Sequence, residues 1–218
     1  MTVNFGVLFD MDGVIVHSNP THKEALRIFF EKYDKDISES FLQNHVYGRT
    51  NKDWLPAVFG EIPPEVSNRL AREKEEIFRQ IFDPAAHAVP GVTGYLRRLK
   101  QKEIKIVVAT SAPVENANFI LSGLSIEDCF DAVLDSSWVD KGKPEPEIYY
   151  KASRAIGYPP EQCVVFEDSI SGVQAGLRAG SKVIGLTTTH SAEELKNCHM
   201  VIDDFRELTP EALSSLFH

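Results

Sequence analysis

The stretch whose reading decides the fold is Asn4-Phe5-Gly6-Val7-Leu8-Phe9-Asp10-Met11-Asp12-Gly13. Its apolar residues run on without the alternation of a half-exposed strand, so a strand over 4–10 is expected to be buried on both faces. Strands of that kind belong to parallel sheets covered by helices, and function gathers at their carboxyl ends. This one runs into two carboxylates, Asp10 and Asp12, whose spacing can point both to the same side. Gly13 then permits a tight turn.

Downstream, Pro20-Thr21-His22-Lys23-Glu24 reads as a helix start, with Thr21 as cap and Glu24 completing a capping box. That helix is expected to reach Tyr33. Helical patterns follow over 38–45, 50–59 and 63–82, with breaks at Gly48 and from Gly60 to Pro64, and no buried-strand signal precedes Pro84. Within them, Arg72-Glu73-Lys74-Glu75-Glu76 reads as a solvated helix face and Trp54 as core. After Pro90-Gly91 the pattern changes. Strands expected at 105–109, 132–134, 163–166 and 182–186 alternate with helices expected at 114–121, 147–156 and 171–179. The last carries Ser171-x-x-Gln174 as a capping box and Gly180 as a stop. The expected fold is α/β: a Rossmann-like parallel sheet with helices on both faces, from residues 1–17 and 86–218, and an inserted all-α helical cap over 18–85.

Composition narrows the function. The 218 residues are 43% hydrophobic and 25% charged, which excludes a disordered chain, a collagen-like repeat and a disulfide-held mini-protein. A net charge of -9 argues against nucleic-acid and anionic-membrane partners, and obliges any site for an anion to supply its own positive charge. Cys129, Cys163 and Cys198 are odd in number, far apart and without a C-x-x-C, so free thiols in a reducing compartment are expected. With neither a signal peptide nor a run of membrane-spanning length, the expectation is a cytoplasmic protein, taken as a monomer.

Three later strand ends also bear reactive groups: Thr110-Ser111, Lys143 and Glu167-Asp168. Acids, a hydroxyl and a lysine together suit phosphoryl transfer through an aspartyl-phosphate. One carboxylate attacks phosphorus, a second moves protons, and cations offset the transferred charge. Clustered acids would repel a phosphate, so a hard, oxygen-ligated Mg²⁺ is expected with them.

The chain resembles the haloacid dehalogenase superfamily, in its branch with a helical cap, whose members include phosphoglycolate phosphatase-like enzymes and β-phosphoglucomutase. The resemblance rests on four motifs in family order: Phe9-Asp10-Met11-Asp12-Gly13-Val14-Ile15, Ala109-Thr110-Ser111, Gly142-Lys143-Pro144-x-Pro146-x-Ile148-Tyr149, and Phe166-Glu167-Asp168-Ser169-x-x-Gly172. It implies Asp10 as nucleophile and metal ligand, and Asp12 as general acid/base whose backbone carbonyl also faces Mg²⁺. It implies Thr110 and the Ser111 N–H on the phosphoryl group, Lys143 neutralising phosphate and Asp10, Asp168 as metal ligand, and Glu167 as a ligand directly or through water. It further implies a cap that closes over the site and selects the substrate. His22 falls at the family's histidine position, and Lys74 matches the cap lysine of the mutase. Asn116 is a candidate pocket residue. Two departures stand out. His17 replaces the usual Asp, and Asn51 occupies the place of a mutase arginine, with Arg49 directly after Gly48.

The function expected from all this is Mg²⁺-dependent hydrolysis of small phosphorylated metabolites, chiefly sugar phosphates. The alternative of the same chemistry is a β-phosphoglucomutase converting β-glucose 1-phosphate to glucose 6-phosphate. A metal-free carbon–halogen dehalogenase is disfavoured by Asp12 and the Glu167-Asp168 pair. A non-enzymatic phospho-switch or interaction protein is disfavoured because receiver domains phosphorylate a later strand and carry no such helical insertion.

Overall fold

A computed structural model describes residues 4–47 and 49–217. The break expected at Gly48 lies outside the described residues. The chain divides into two compact units, one made of residues up to His17 with those from Pro84 onward, the other of Ser18–Asp83. Pro84 and Ala85 therefore go with the first unit, not with the insertion.

In the first unit, among the described residues, six strands form one parallel sheet. They are β1 (Gly6–Phe9), β2 (Lys105–Ala109), β3 (Ala132–Leu134), β4 (Cys163–Glu167), β5 (Lys182–Leu186) and β6 (Met200–Ile202), in the order β3-β2-β1-β4-β5-β6. The chain moves outward from β1 to β2 and β3, then returns to the other side of β1 with β4. The direction of winding thus reverses between β1 and β4, and a crevice opens at their carboxyl ends. Register makes those ends level: Phe9 pairs with Val108 on one side and with Phe166 on the other.

Strand alternation assigns each face its cover. Phe9 and Phe166 stack at 4.7 Å, with Tyr95 and Phe205 packed beside them. Tyr95 comes from the helix Val92–Gln101. On the opposite face, Leu8, Val107 and Val165 pack against Tyr149, Ala152, Val173 and Ala179. These last come from the helices Glu147–Ala155 and Ile170–Ala179. Helices thus cover both faces, as expected. By the same alternation Asp10 follows Leu8, and Glu167 follows Val165, to the side where the Glu147–Ala155 helix lies.

In the second unit four helices run Asn19–Lys32, Glu39–His45, Asn51–Phe59 and Pro64–Ile81. Numbered in chain order these are α1–α4; α5 is Val92–Gln101, α6 Val114–Gly123, α7 Glu147–Ala155, α8 Ile170–Ala179 and α9 Pro210–Ser214. The unit is centred on Phe29, Phe30, Trp54, Leu55 and Leu70. Edge-to-face contacts of Trp54 with both phenylalanines, at 6.0 and 5.6 Å, are of the favoured aromatic kind. Trp54 is core, as its pattern implied.

Three local expectations need correction. Helix α1 starts at Asn19 with Ser18 at its N-cap, not at Thr21. Pro20 is tolerated inside the first turn, where its missing N–H would have no partner. Helix α8 is capped by Ser169, whose Oγ accepts from Gly172 N at 3.0 Å, not by Ser171. The charged stretch in α4 is not uniformly solvated, because Lys74 and Glu75 are buried.

Candidate active site

The carboxyl ends of β1 and β4 bring together Asp10, Glu167 and Asp168, all buried. One oxygen from each lies within 4.8 Å of the other two. Lys143, from the loop before α7, enters this group with all three of its N–H donors engaged. Its Nζ lies 2.5 Å from Asp10 Oδ1, 2.6 Å from Glu167 Oε1 and 3.2 Å from the Ala109 carbonyl.

Electrostatics follow from that packing. Burial pushes the Asp10 carboxyl well above the usual carboxylate range, against the pull of Lys143 and helped by the nearby acids. Asp168 is pushed up to about 7 by burial and then by the charge of Glu167. Desolvation works against the charged form of Lys143, but Asp10 and Glu167 outweigh it and hold its ammonium protonated. Three acids around one lysine leave a deficit of positive charge. The donors are all oxygen, the preference of a hard divalent cation, so the residues fit such an ion.

Glycine makes the assembly possible at two points. Gly13 has φ +79°, and a Cβ there would stand 1.9 Å from Asp168 Oδ2. A Cβ on Gly172 would stand 1.7 Å from Glu167 Oε1. Either side chain would occupy the space of a site carboxylate.

The remaining core candidates take these places. Asp12 is half-buried, one turn residue beyond Met11, and its charge raises the proton affinity of both Asp10 and Asp168. Thr110 is buried at the end of β2, where its Oγ1 accepts from Ala112 N at 3.0 Å, and Ser111 beside it is exposed. Asn116 is buried in the first turn of α6. Glu167 is the most heavily bonded acid. Oε1 accepts from Lys143 and from the Tyr149 hydroxyl at 2.7 Å, and Oε2 accepts from Asp168 N, Ser169 N and Ser169 Oγ at 3.0–3.2 Å.

Sequence reasoning passed over four residues here. Tyr149 lies within the Lys143 motif, and its hydroxyl bonds Glu167. Ser169 was passed over as a cap. Thr188 donates to the Gly13 carbonyl, and Thr189 to Asp168 Oδ2. The signal for the threonines was their place, directly after the buried strand β5, at the carboxyl edge where such sheets carry their sites.

The cap unit has a polar cluster of its own. Lys74 Nζ lies 2.9 Å from both His22 Nδ1 and Glu75 Oε1. Asn51 Nδ2 donates to the same Glu75 oxygen at 2.7 Å, and its Oδ1 accepts from Trp54 Nε1 at 3.0 Å. The His22 ring stacks on Phe78 at 3.8 Å. Burial without pairing would neutralise these charges; the attraction of Lys74 and His22 and the Asn51 bond instead hold Glu75 below its ordinary range despite desolvation. Arg49 stands apart and exposed, bonded to the Asn44 carbonyl at 3.2 Å. Among the described residues the structure thus joins His22, Asn51 and Lys74, with Glu75 as an unforeseen fourth member, and leaves Arg49 out.

Residues 6–180 match the family model for haloacid dehalogenase-like hydrolases. The chain belongs to that family. It is 38% identical over 176 residues to a phosphorylated carbohydrates phosphatase of Thermotoga maritima, covering 80% of this chain and 81% of the relative. It is 31% identical over 201 residues to the validoxylamine A 7'-phosphate phosphatase of Streptomyces hygroscopicus subsp. limoneus, covering 92% and 94%. The crystal structure of a β-phosphoglucomutase from Clostridium difficile superposes with a TM-score of 0.85 at 26% identity, over 98% of this chain and 97% of that one. The family member described here is an enzyme of the phosphatase or phosphomutase type. No described helix is long and apolar enough to cross a membrane.

Proposed function

We propose that the protein is a Mg²⁺-dependent phosphatase of small phosphorylated sugars, working through an aspartyl-phosphate on Asp10. The observation that carries this reading is the Lys143 ammonium 2.5 Å from Asp10 Oδ1 within a buried acid cluster. In that buried setting the ammonium is the group that favours the ionised, nucleophilic form of Asp10, and a divalent cation would add to its effect. Asp10 attacks phosphorus, its oxygen bonding to the phosphoryl group as the ester oxygen departs. Asp12 gives that oxygen its proton. Asp12 then takes a proton from water, which attacks phosphorus, breaks the bond to Asp10 and releases inorganic phosphate. Lys143, the Thr110 hydroxyl and the Ser111 N–H bond the phosphoryl oxygens. Asp10 and Asp168, with Asp12 through its carbonyl and Glu167 beside them, would hold Mg²⁺, which when bound supplies positive charge against those oxygens.

The sugar-phosphate assignment is supported by the carbohydrate phosphatase relative. A β-phosphoglucomutase is the second reading, favoured by the shared fold and by the His22–Lys74 contact. Against it, Asn51, committed to Glu75 and Trp54, stands where the mutase resemblance calls for an arginine. A phosphate-ester panel assayed with and without Mg²⁺ tests the proposal, with phosphate release from sugar monophosphates only in its presence as the expected result. In one arm the protein receives β-glucose 1-phosphate and a trace of glucose 1,6-bisphosphate. Glucose 6-phosphate as the main product would install the mutase reading.

A further inference from the structure

We propose that Tyr149 is a positioning residue for phosphoryl transfer: its phenol is the standing donor at Glu167 Oε1 that lets Lys143 turn from Glu167 to the phosphoryl group. This rests on the reaction proposed above, with Lys143 as the lysine that meets the phosphate.

An ammonium has three N–H bonds to give, and Lys143 spends all three inside the protein, on Asp10 Oδ1, Glu167 Oε1 and the Ala109 carbonyl. A phosphoryl oxygen that arrives must take one of them. Asp10 is the wrong partner to release, because among the described residues Lys143 is the one side-chain donor on its carboxyl group. Glu167 is the partner able to spare it. Its Oε2 accepts three bonds from the turn into α8, and its Oε1 has a second donor in the Tyr149 hydroxyl at 2.7 Å. Tyr149 and Glu167 are fully buried, so no solvent stands ready to replace the phenol. Without it, the departure of Lys143 would leave the buried Oε1 short of a donor, and the cost would fall on the transition state, in which Lys143 turns to the transferring group, and not on the resting enzyme or the bound ester. The Tyr149 ring has a separate role, since Lys143 Nζ lies 5.1 Å from its centroid.

Tyr149→Phe keeps the ring and removes only the donor. The test compares it with the wild type on p-nitrophenyl phosphate with Mg²⁺, and titrates both with orthovanadate as a phosphoryl mimic. We expect kcat to fall by about tenfold to a hundredfold, the worth of one hydrogen bond to a charged group. KM should hold, Tm should hold, and the vanadate inhibition constant should rise by the factor lost from kcat. Unchanged kcat and vanadate inhibition would overturn the proposal, as would a lowered Tm with full activity per folded molecule. A crystal structure of the wild type with vanadate tests the geometry even if the variant misfolds. Lys143 Nζ should bond vanadate and leave Glu167, while Tyr149 keeps Oε1. Lys143 found bridging vanadate and Glu167 would overturn the idea. A wild type inert to every phosphate ester would instead remove the proposed function.

Discussion

At Gly13 a single hydrogen atom separates a working site from a blocked one. A methyl group there meets both a left-handed backbone and the Asp168 carboxylate at 1.9 Å. Gly13→Ala should therefore abolish turnover and weaken Mg²⁺ binding, read by isothermal titration of the variant. Asp10→Asn should remove turnover and phosphoryl-enzyme formation together, since the amide is no nucleophile. Asp12→Ala should lose on the order of 10²–10⁴-fold in kcat, the usual worth of a positioned acid/base; wild-type rates would revoke its role. In the cap unit, Lys74→Met would strand the buried Glu75 charge. Loss of one partner of such a pair costs about 3–5 kcal/mol, and chemical denaturation should show a drop of that order.

Elements carry the next set of consequences. Helix α8 begins immediately after the acids Glu167 and Asp168, and its cap, Ser169, also donates to Glu167 Oε2. Ser169→Ala should cost about 0.5–2 kcal/mol as a lost N-cap. It should also lower kcat, because the same hydroxyl steadies the carboxylate that Lys143 touches; a stability loss with kcat unchanged would confine Ser169 to capping. How legible these elements were depended on how far local chemistry determined them. The strand β1 was plain because an unbroken apolar run has few other fates, and the strands paired to it were plain for the same reason. Strand β6 escaped notice because its three residues are only half-buried at the sheet edge. Helix α5 was legible too, since its buried Val92, Tyr95, Leu96 and Leu99 repeat at helical spacing with the basic residues on the other face. The starts of α1 and α8 were misplaced, at Thr21 for Ser18 and at Ser171 for Ser169, because a residue able to cap competes with a neighbour equally able. The acid–lysine group at the strand ends was readable from residue type and position, and Thr188 and Thr189 from their place after β5, whereas Tyr149 owes its bond to Glu167 to a pairing across segments that no local pattern encodes.

For the molecule as a whole, the linkage of charge to folding can be measured. Asp168 titrates near 7 in the folded chain and near 3.9 when unfolded, so the folded state holds an extra proton between those values. The stability tied to that proton is complete below about 3.9 and is lost as pH rises through about 7. A divalent cation competes with the same proton. Millimolar Mg²⁺ should thus raise Tm more at pH 8 than at pH 5.5, by differential scanning fluorimetry. An equal rise at both pH values would place the cation away from these acids.

The two chain segments that lead into and out of the inserted helices run side by side. Val16 pairs antiparallel with Ala88, His17 N donates to the His87 carbonyl at 2.8 Å, and Val89 N to the Ile15 carbonyl at 2.9 Å. Because that seam is closed by the sheet-bearing unit itself, the length and make-up of what is spliced between its edges bear little on the frame, loop closure costing only slowly more with length. The insertion is in effect an exchangeable cassette, free to change in length and sequence while the frame on the other side of the seam keeps its shape.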